Sequence, residues 1–254
     1  MKLLEDRVAV ISGAAHPKGI GKATAKLFLE HGARVAILDL DETRIQESAA
    51  DLGVASSQLI ALACDVGSDE QCRAALDRVA AWSGGVVDVL VNNAAITQKA
   101  TFRDITPADF ERILRVNLTG VFNLSQAVIP LMIQRGGGSI VSISSLSAQN
   151  GGGIFGGAHY CAAKAGVQGI TRAMAKEFGE HKIRANAIAP GLITTDFSRT
   201  GRSDASKDDA AQVWPLRRAG RPHEVAGGCL FLASELSSYV TGTTLDINGG
   251  AHMN

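Results

Sequence analysis

The chain has few cysteines, no excess of charge of one sign and no long hydrophobic run, and each shortage excludes a class of protein. Its four cysteines in 254 residues show no Cys-x-x-Cys spacing, which argues against a metal site and favours a reducing, cytoplasmic compartment. Basic and acidic residues number 25 each, so we expect no nucleic-acid or anionic-membrane partner. The first residues lack the apolar segment of a signal peptide, and we expect no membrane-spanning stretch.

Short apolar runs alternate with segments of helical periodicity along the chain, with no internal repeat or linker. The runs predict strands at 7–12, 34–38, 58–63, 87–91, 138–144, 183–189 and 243–247. The periodic segments predict helices at 19–31, 41–52, 68–82, 107–134, 158–179 and 222–233. Strands that are apolar over most of their length suit a parallel sheet covered on both faces. We therefore predict an α/β fold with a doubly wound, parallel, seven-stranded, Rossmann-like sheet, in a single domain spanning residues 1–254.

Residues 194–221 form a long stretch without a strand pattern, which we call the lid segment. Its first part is rich in charged side chains, and Trp214-Pro215 lies near its end. Loops of this length are uncommon in compact domains and are often functional. We predict that the lid segment is mobile and covers a ligand.

Tyr160 and Lys164 lie four residues apart in the predicted helix 158–179. This spacing puts both side chains on one helical face, one turn apart. A free phenol has a pKa of about 10, and a neighbouring ammonium group lowers it. Lowering the pKa to about 7 needs roughly 4 kcal/mol of differential stabilisation. The pair predicts a tyrosine that exchanges a proton near neutral pH, although a solvated helix face can show the same spacing by chance.

A glycine-rich turn follows the first predicted strand and precedes the first predicted helix. Its glycines, Gly13, Gly19 and Gly21, would let a pyrophosphate approach backbone amides at a helix N-terminus. Asp39 ends the second strand, 18 residues beyond Gly21, near the place where a carboxylate would bind the 2′-hydroxyl of a ribose. The turn and the acid together predict a dinucleotide site.

The order of these and other motifs along almost the whole chain resembles that of the short-chain dehydrogenase/reductase family. The other shared motifs follow successive strands, lie in the long helix 107–134 or close the chain. They are Asp65-Val66, Asn92-Asn93-Ala94-Ala95, Asn117 in the long helix, Ser144-Ser145, Pro190-Gly191-Leu192-Ile193-Thr194-Thr195, Gly220–Ala226 and Tyr239–Gly250. The resemblance implies an enzyme that interconverts a secondary alcohol and a ketone by transferring a hydride to or from a nicotinamide cofactor.

The resemblance also implies a role for each catalytic residue. Tyr160 would be the general acid/base on the substrate oxygen, and Lys164 would lower its pKa and bind the nicotinamide ribose. Ser145 would donate a hydrogen bond to the substrate oxygen. Asn117 would hold a water that links Lys164 to solvent. Each also has a structural alternative, such as capping a helix.

The cofactor contacts implied by the resemblance lie in the glycine turn and after successive strands. Those after the third strand would meet the adenine, those after the fourth the adenosine, and those after the sixth the carboxamide and the pyrophosphate. The residues are Gly13, Lys18, Gly19, Ile20, Gly21, Asp39, Asp65, Val66, Asn93, Ala94, Tyr160, Lys164, Pro190, Gly191, Ile193 and Thr195.

The chain departs from the family pattern at two places. Five residues separate Gly13 from Gly19 where three are usual, so the phosphate contacts of this longer turn stay open. Ser145 lies 15 residues before Tyr160 where 13 is usual, a distance that Ser147 satisfies. We place the extra residues in 150–157 and assign the catalytic role to Ser145, with Ser147 as the alternative.

Two signals compete over the cofactor. Asp39 accepts hydrogen bonds from ribose hydroxyls and repels a 2′-phosphate, which favours NAD, whereas Lys18 stands where family members that use NADP often carry a basic residue. Leu40 and Asp41 follow Asp39, so no arginine is there to receive a phosphate. We predict NAD, with an NADP-dependent ketone or 3-oxoacyl thioester reductase as the alternative. A non-catalytic cofactor-sensing protein is a third interpretation.

The sequence does not identify the substrate, and it predicts the protein's partner surfaces only in outline. Charged lid residues that could bind an acidic substrate are Arg199, Arg202, Arg217 and Arg218. Candidate pocket walls are Ile96, Gln98, Phe155, His159, Ile193, Phe197 and Trp214. The helices 107–134 and 158–179 are apolar around much of their circumference, which indicates a further partner. With the family resemblance, this predicts a homotetramer of D2 symmetry.

Overall fold

A parallel sheet of seven strands forms the centre of the molecule. The computed structural model describes residues 2–197 and 203–253, apart from the side chains of 153–155. The strands are β1 (Val8–Ser12), β2 (Arg34–Asp39), β3 (Leu59–Ala63), β4 (Val89–Asn92), β5 (Gly138–Ile143), β6 (Ile183–Pro190) and β7 (Thr244–Ile247). They lie in the order β3-β2-β1-β4-β5-β6-β7, and neighbouring strands are parallel. The prediction of a doubly wound, Rossmann-like sheet in one domain is confirmed.

Helices cover both faces of this sheet. They are α1 (Ile20–Glu30), α2 (Glu42–Leu52), α3 (Asp69–Ser83), α4 (Pro107–Leu114), α5 (Gly120–Arg135), α6 (Ser147–Asn150), α7 (Gly153–Phe178), α8 (Asp204–Ala210) and α9 (Pro222–Ala233). Phe28 of α1 and Met132 of α5 are fully buried in the two larger apolar cores. Burying a side chain of this size stabilises the fold by roughly 1.5–3 kcal/mol.

The strand order places the functional edge of the sheet. β1 lies between β2 and β4, and the direction in which the strands are added reverses there. Parallel strands all end at one edge, and ligands bind in the crevice that opens beside such a reversal. The glycine turn after β1, Asp39 at the end of β2 and Asn93 after β4 are therefore neighbours.

The predicted helix 107–134 contains one wider turn. α4 continues into α5 through the π-helical turn Arg115–Thr119. Asn117 lies in this turn and is fully buried. A π turn within an α-helix often marks a functional site, and here it points the amide of Asn117 inwards.

The helical run Pro107–Arg135 corrects one expectation about membranes. By length and composition it could cross a membrane, with a mean hydropathy of 1.4 over its most apolar window, and half of that window is buried inside the protein. The expectation that no stretch reaches membrane-spanning length was therefore wrong. The core helix of a soluble protein passes the same test, because a helix covered on several faces is apolar around most of its circumference.

Two short helices and a backbone break were not predicted. α7 is interrupted at Gly157, whose φ of 67° and ψ of 158° suit only glycine. α6 is a single turn after β5, and α8 lies inside the lid segment. The candidate substrate residues Arg199 and Arg202 lie outside the described residues, as does the side chain of Phe155.

Candidate active site

Tyr160 and Lys164 meet beside the carboxyl end of β5. The Nζ atom of Lys164 donates a 2.6 Å hydrogen bond to the carbonyl of Ile143, the last residue of that strand. It lies 5.7 Å from the centroid of the Tyr160 ring. Tyr160 is 8% exposed and Lys164 is 1% exposed. The pair is therefore buried and does not belong to a solvated helix face.

Burial dominates the proton affinities of this pair. It raises the pKa of Tyr160 to about 12, against a smaller opposing effect of the hydrogen bond with Ser145. It lowers the pKa of Lys164 from 10.5 to about 7. The expectation that Lys164 holds the pKa of the phenol near 7 is wrong for the free protein, because desolvation disfavours charge on either group. Proton exchange by Tyr160 near neutral pH needs further positive charge in the site.

Ser145, and not Ser147, is the serine that meets Tyr160. The Ser145 side chain interacts with the Tyr160 side chain and lowers the pKa of the phenol, and the Ser145 hydroxyl accepts the backbone N–H of Ser147 at 3.0 Å. Ser147 starts α6, and its Oγ faces Gly152, where an added Cβ would lie 2.6 Å from it. The hydroxyl next to the phenol is thus supplied from the end of β5.

The two serines should differ in their effect on turnover. Replacing Ser145 with alanine should lower kcat by about 10²- to 10³-fold, the usual cost of removing one donor to a charge-developing oxygen. Replacing Ser147 with alanine should change kcat by less than about threefold, because this partly exposed hydroxyl faces Gly152 and its loss affects only local packing. Steady-state kinetics on both variants checks the ranking. A larger loss in the Ser147 variant would contradict the assignment.

Asn117 has one unsatisfied acceptor in the centre of the protein. Its Nδ2 donates to the carbonyls of Ile96 and Ile113, each at 2.9 Å. Its Oδ1 is buried and has no protein partner. An unsatisfied buried acceptor costs about 1–3 kcal/mol, and a bridging water removes that cost. This geometry suits the predicted role of Asn117 in holding a water.

The glycine turn packs tightly against the end of β4. The Asn93 side chain donates to the carbonyls of Ser12 and Gly13, at 3.0 and 2.9 Å. Gly13 has a φ of 69°, and a Cβ there would lie 2.7 Å from the Cα of Ala94. A Cβ on Gly21 would lie 2.4 Å from the Gly13 carbonyl. Asn93 therefore holds the turn in place, and both glycines are required by close backbone packing.

The N-terminus of α1 is the place in this turn that suits a phosphate. α1 starts at Ile20 after Gly19, with no side-chain cap and no acidic residue in its first turn. By contrast, Asp41, Ser68 and Thr106 cap the next three helices with their side chains. Uncapped N–H groups and the positive end of the helix dipole favour an anion. The residues present therefore fit the pyrophosphate of a dinucleotide.

Asp39 stands beside the same turn and already has two backbone partners. Its Oδ2 accepts the N–H of Ala15 at 3.0 Å, and its Oδ1 accepts the N–H of Leu40 at 2.9 Å. A carboxylate has about four acceptor positions, so capacity remains for ribose hydroxyls. Lys18 is exposed on the outer side of the turn.

The residues after β3 form a loop at the same edge of the sheet, next to the end of β2. Asp65 accepts the N–H of Gly67 at 2.9 Å and pairs with Arg115 at 3.0 Å. Val66 is buried, and its carbonyl accepts the side chain of Asn123 at 2.9 Å. The Asp65 carboxylate is therefore shared with a cation of the π turn, a contact that the sequence did not reveal.

The segment after β6 is held from two sides. Gly191 donates to the carbonyl of Ile247 at 3.0 Å, and Pro190 pairs with the same residue across the β6–β7 ladder. Ile193 forms a β-bridge with Gly220. The carbonyl of Thr195 accepts a hydrogen bond from the ammonium group of Lys207, a 2% exposed lysine of α8. Sequence analysis missed Lys207, because a lysine among charged lid residues is typical of a solvated surface.

Phe197 provides an apolar wall next to the tyrosine. Its ring centroid lies 6.2 Å from that of Tyr160. A separate cavity of about 420 Å³ lies alongside, lined in part by Leu192, Ile193, Leu216, Arg218 and Asn248. Its lining does not include Ser145 or Tyr160, so we take the chemistry to lie where the polar groups converge and not in this cavity.

Comparisons with known proteins point in one direction. Residues 13–252 match a family model described as Enoyl-(Acyl carrier protein) reductase. An uncharacterised short-chain type dehydrogenase/reductase of Sinorhizobium fredii is 53% identical over 249 residues, which cover 98% of both chains. The 3-oxoacyl-acyl-carrier-protein reductase of Thermotoga maritima is 39% identical over 250 residues, covering 97% of this chain and 98% of the relative.

Solved structures agree with the sequence matches. A short-chain dehydrogenase/reductase from Brucella melitensis, described as glucose/ribitol dehydrogenase, superposes with a TM-score of 0.91. It is 33% identical in sequence, and the alignment covers 100% of both chains. A short-chain type dehydrogenase/reductase from Mycobacterium marinum gives a TM-score of 0.90 at 34% identity, covering 99% of this chain and 97% of the other.

Proposed function

Because the chain belongs to the short-chain dehydrogenase/reductase family, we propose that it interconverts a secondary alcohol and a ketone, with NAD as its cofactor. The observation that supports this most is the buried cluster of Ser145, Tyr160 and Lys164 at the carboxyl edge of the sheet. It lies on the same edge as the glycine turn and Asp39. A hydride cofactor and a proton donor would therefore reach one substrate carbon and its oxygen.

Each of these residues has a separate role in the reaction. Ser145 donates to the substrate oxygen and orients it towards the phenol of Tyr160, which gives or takes the proton. Lys164 and Asn117 connect that proton to solvent, through a water that donates a hydrogen bond to Asn117 Oδ1. When bound, a nicotinamide supplies the hydride donor or acceptor and, in its oxidised form, a positive charge. Such a charge favours the phenolate and counteracts the pKa of about 12 that burial imposes on Tyr160.

Activity is tested directly by the absorbance of the reduced nicotinamide. A panel of sugars, polyols, hydroxy acids, steroids and 3-oxoacyl thioesters is offered to the wild-type protein with NAD and NADP in either redox state. Turnover of at least one member supports the proposal. No turnover of any member, with cofactor bound as measured by calorimetry, would favour the cofactor-sensing alternative.

A second candidate function is the reduction of 3-oxoacyl thioesters. It is favoured by two relatives of this chain, one from Thermotoga maritima and one from Vibrio cholerae. They are 39% and 38% identical to the chain and are named 3-oxoacyl-acyl-carrier-protein reductases. Preference for the thioester with NADPH over every simple ketone would select this candidate. A sensor is disfavoured because binding a cofactor needs no proton exchange. It would gain nothing from the free-energy cost of burying Lys164.

The choice of NAD rests on Asp39. Its carboxylate lies at the end of β2 with acceptor capacity to spare, and Leu40 beside it is 71% exposed and uncharged. A 2′-phosphate in contact with this carboxylate would cost on the order of 2–4 kcal/mol, which corresponds to roughly a 30- to 1000-fold preference for NAD. The alternative cofactor is NADP, with Lys18 as the phosphate contact.

Replacing Asp39 with asparagine should reduce this preference. Asparagine keeps one acceptor oxygen for the Ala15 N–H, whereas alanine would also loosen the turn. We expect kcat/KM with NADP to rise by about tenfold or more, because charge repulsion with the 2′-phosphate is removed. We expect kcat/KM with NAD to fall, because asparagine has one acceptor oxygen fewer for the ribose hydroxyls. A further Lys18→Ala change should reverse the gain with NADP. Wild-type protein that prefers NADP would contradict the assignment of Asp39.

Assembly and location complete the proposal. Phe110 of α4 and Phe122 and Ile133 of α5 are exposed apolar residues on the long helical run, which supports a homotetramer of D2 symmetry. A monomeric mass by light scattering at micromolar concentration would contradict it. The four cysteines are free thiols, which suits the reducing cytoplasm, and fractionation of cells checks the location. We also retain the prediction that the lid segment closes over the substrate.

A further inference from the structure

His159 is a buried histidine directly before the catalytic tyrosine, and the chemistry described so far does not use it. Its side chain is fully buried. From the sequence alone, His159 could be a pocket wall or the first residue of a helix. It contacts the start of the catalytic helix and Gln98 in the loop after β4, and Gln98 in turn contacts Arg112 of helix α4.

Hydrogen bonds define the protonation state of the ring. The Nδ1 atom accepts the backbone N–H of Tyr160 at 2.9 Å, so Nδ1 carries no proton. The proton is therefore on Nε2, which lies 3.3 Å from the Oε1 atom of Gln98 and donates to it. The same Oε1 accepts a guanidinium N–H of Arg112 at 2.9 Å, and Arg112 pairs with Asp109 at 3.2 Å. A neutral imidazole protonated at Nε2 satisfies the contacts with Tyr160 and Gln98.

Steric contacts place the ring at the break in α7. A Cβ on Gly157 would lie 2.5 Å from Cε1 and 2.8 Å from Nδ1 of His159. It would also lie 3.3 Å from the backbone carbonyl of Gln98. The ring therefore occupies the space that a side chain at 157 would need. This packing lies at the break at Gly157, after which the regular part of the helix begins, two residues before Tyr160.

We propose that His159 is a positioning residue for Tyr160: its neutral ring accepts the tyrosine's backbone N–H and anchors the start of the catalytic helix to Gln98. This inference rests on the proposed function, since it concerns the residue that transfers the proton. The phenol of Tyr160 must stay beside Ser145 to act on a substrate oxygen. A rotation of the first helical turn would move the phenol out of reach, and misplacement by about 1 Å can lower turnover by about 10²-fold.

Protonation of His159 would break the contact with Tyr160. A second proton on the ring turns Nδ1 into a donor, which then faces the backbone N–H donor of Tyr160. The charged groups that face the ring from α4 are Asp109, which raises the pKa of His159, and Arg112, which lowers it. The loop after β4 presents the uncharged Gln98. Tyr160 and the backbone of Gly157 face the ring from its own helix, and a hydrogen bond with the Gly157 backbone also raises the pKa of His159. Burial has the largest effect and lowers the pKa of His159 below its usual 6.5, so the loss falls in the acid range.

Two substitutions separate this role from simple packing. His159→Asn retains an acceptor at the position of Nδ1, cannot titrate and loses the contact with Gln98. His159→Leu retains apolar volume and loses both contacts. We expect the leucine variant to lose about 10- to 100-fold in kcat at pH 8, with the cofactor KM unchanged, because the substitution affects the tyrosine and not the cofactor. The asparagine variant should recover most of this loss and should keep its kcat at acid pH where the wild type loses it.

Long-range ¹H–¹⁵N NMR on histidine-labelled protein provides a readout that needs no turnover. The His159 signals are assigned by their absence in His159→Asn. We expect the Nε2–H form at neutral pH and a titration below the usual range. An Nδ1–H form, an ordinary titration, or an asparagine variant with the wild-type acid limb of kcat would overturn the inference. If the NMR result holds and no substrate turns over, the proposed function fails while the assignment of the ring stands. If the leucine variant does not fold, the asparagine profile and the NMR result still decide.

Discussion

Replacing Tyr160 with phenylalanine should lower kcat by about 10²- to 10⁴-fold, the range that a positioned acid/base group contributes. Phenylalanine keeps the ring, so the packing beside Phe197 and the burial of the site are preserved. The variant loses the hydroxyl that interacts with Ser145. Cofactor affinity, measured by calorimetry, should change by less than about threefold, because the phenol makes only one of many contacts that bind a dinucleotide.

The chain supplies a matched control for this variant. It contains two tyrosines, and Tyr239 is fully exposed. Tyr239→Phe removes the same hydroxyl from the surface and should leave kcat, cofactor affinity and thermal stability unchanged within error. A Tyr160→Phe variant with near-normal turnover would rule out the phenol as the proton donor. Equal losses in both variants would indicate a general effect of the substitution.

Replacing Lys164 with methionine should abolish most activity and at the same time change how stability depends on pH. Loss of the ammonium group should lower kcat by about 10²-fold or more, since the buried tyrosine then loses the charge that Lys164 supplies. In the unfolded chain Lys164 stays protonated up to about pH 10.5, whereas in the folded protein it releases its proton near pH 7. Between these values the unfolded state binds more protons, so the stability of the wild type rises with pH.

The methionine variant should lack this rise. The difference in unfolding free energy between the two proteins should change by on the order of 3–4 kcal/mol between pH 7 and pH 10, in favour of the wild type at high pH. At pH 7 the variant should be at least as stable, because methionine fills the space without a buried charge. Urea unfolding at several pH values measures this, and Lys176→Met, an exposed lysine of the same helix, is the control. Parallel pH profiles for all three proteins would show that Lys164 titrates normally.

Both predictions depend on what burial does to a pair that the sequence identified. Spacing alone placed Tyr160 and Lys164 on one face of a helix, and both lie there. Spacing could not show that both are desolvated, because exposure depends on β5, on Ser145 and on residues far along the chain. The direction of the pKa change in Tyr160 was therefore predicted with the wrong sign for the free protein. A charge-pair argument describes an exposed pair, whereas desolvation governs a buried one.

The sequence by itself determined the fold class, the boundaries of every strand to within two residues, and the family. These properties follow from local patterns: apolar runs, helical periodicity and turn glycines whose positions depend on near neighbours. Only the tertiary structure decided which of two serines meets the phenol, that Lys207 anchors Thr195 and that Asn93 holds the glycine turn. It also decided that the ring of His159 fills the space beside Gly157. These are contacts between residues distant in sequence or across a break in a helix, and their distances are determined by packing, which no periodicity encodes.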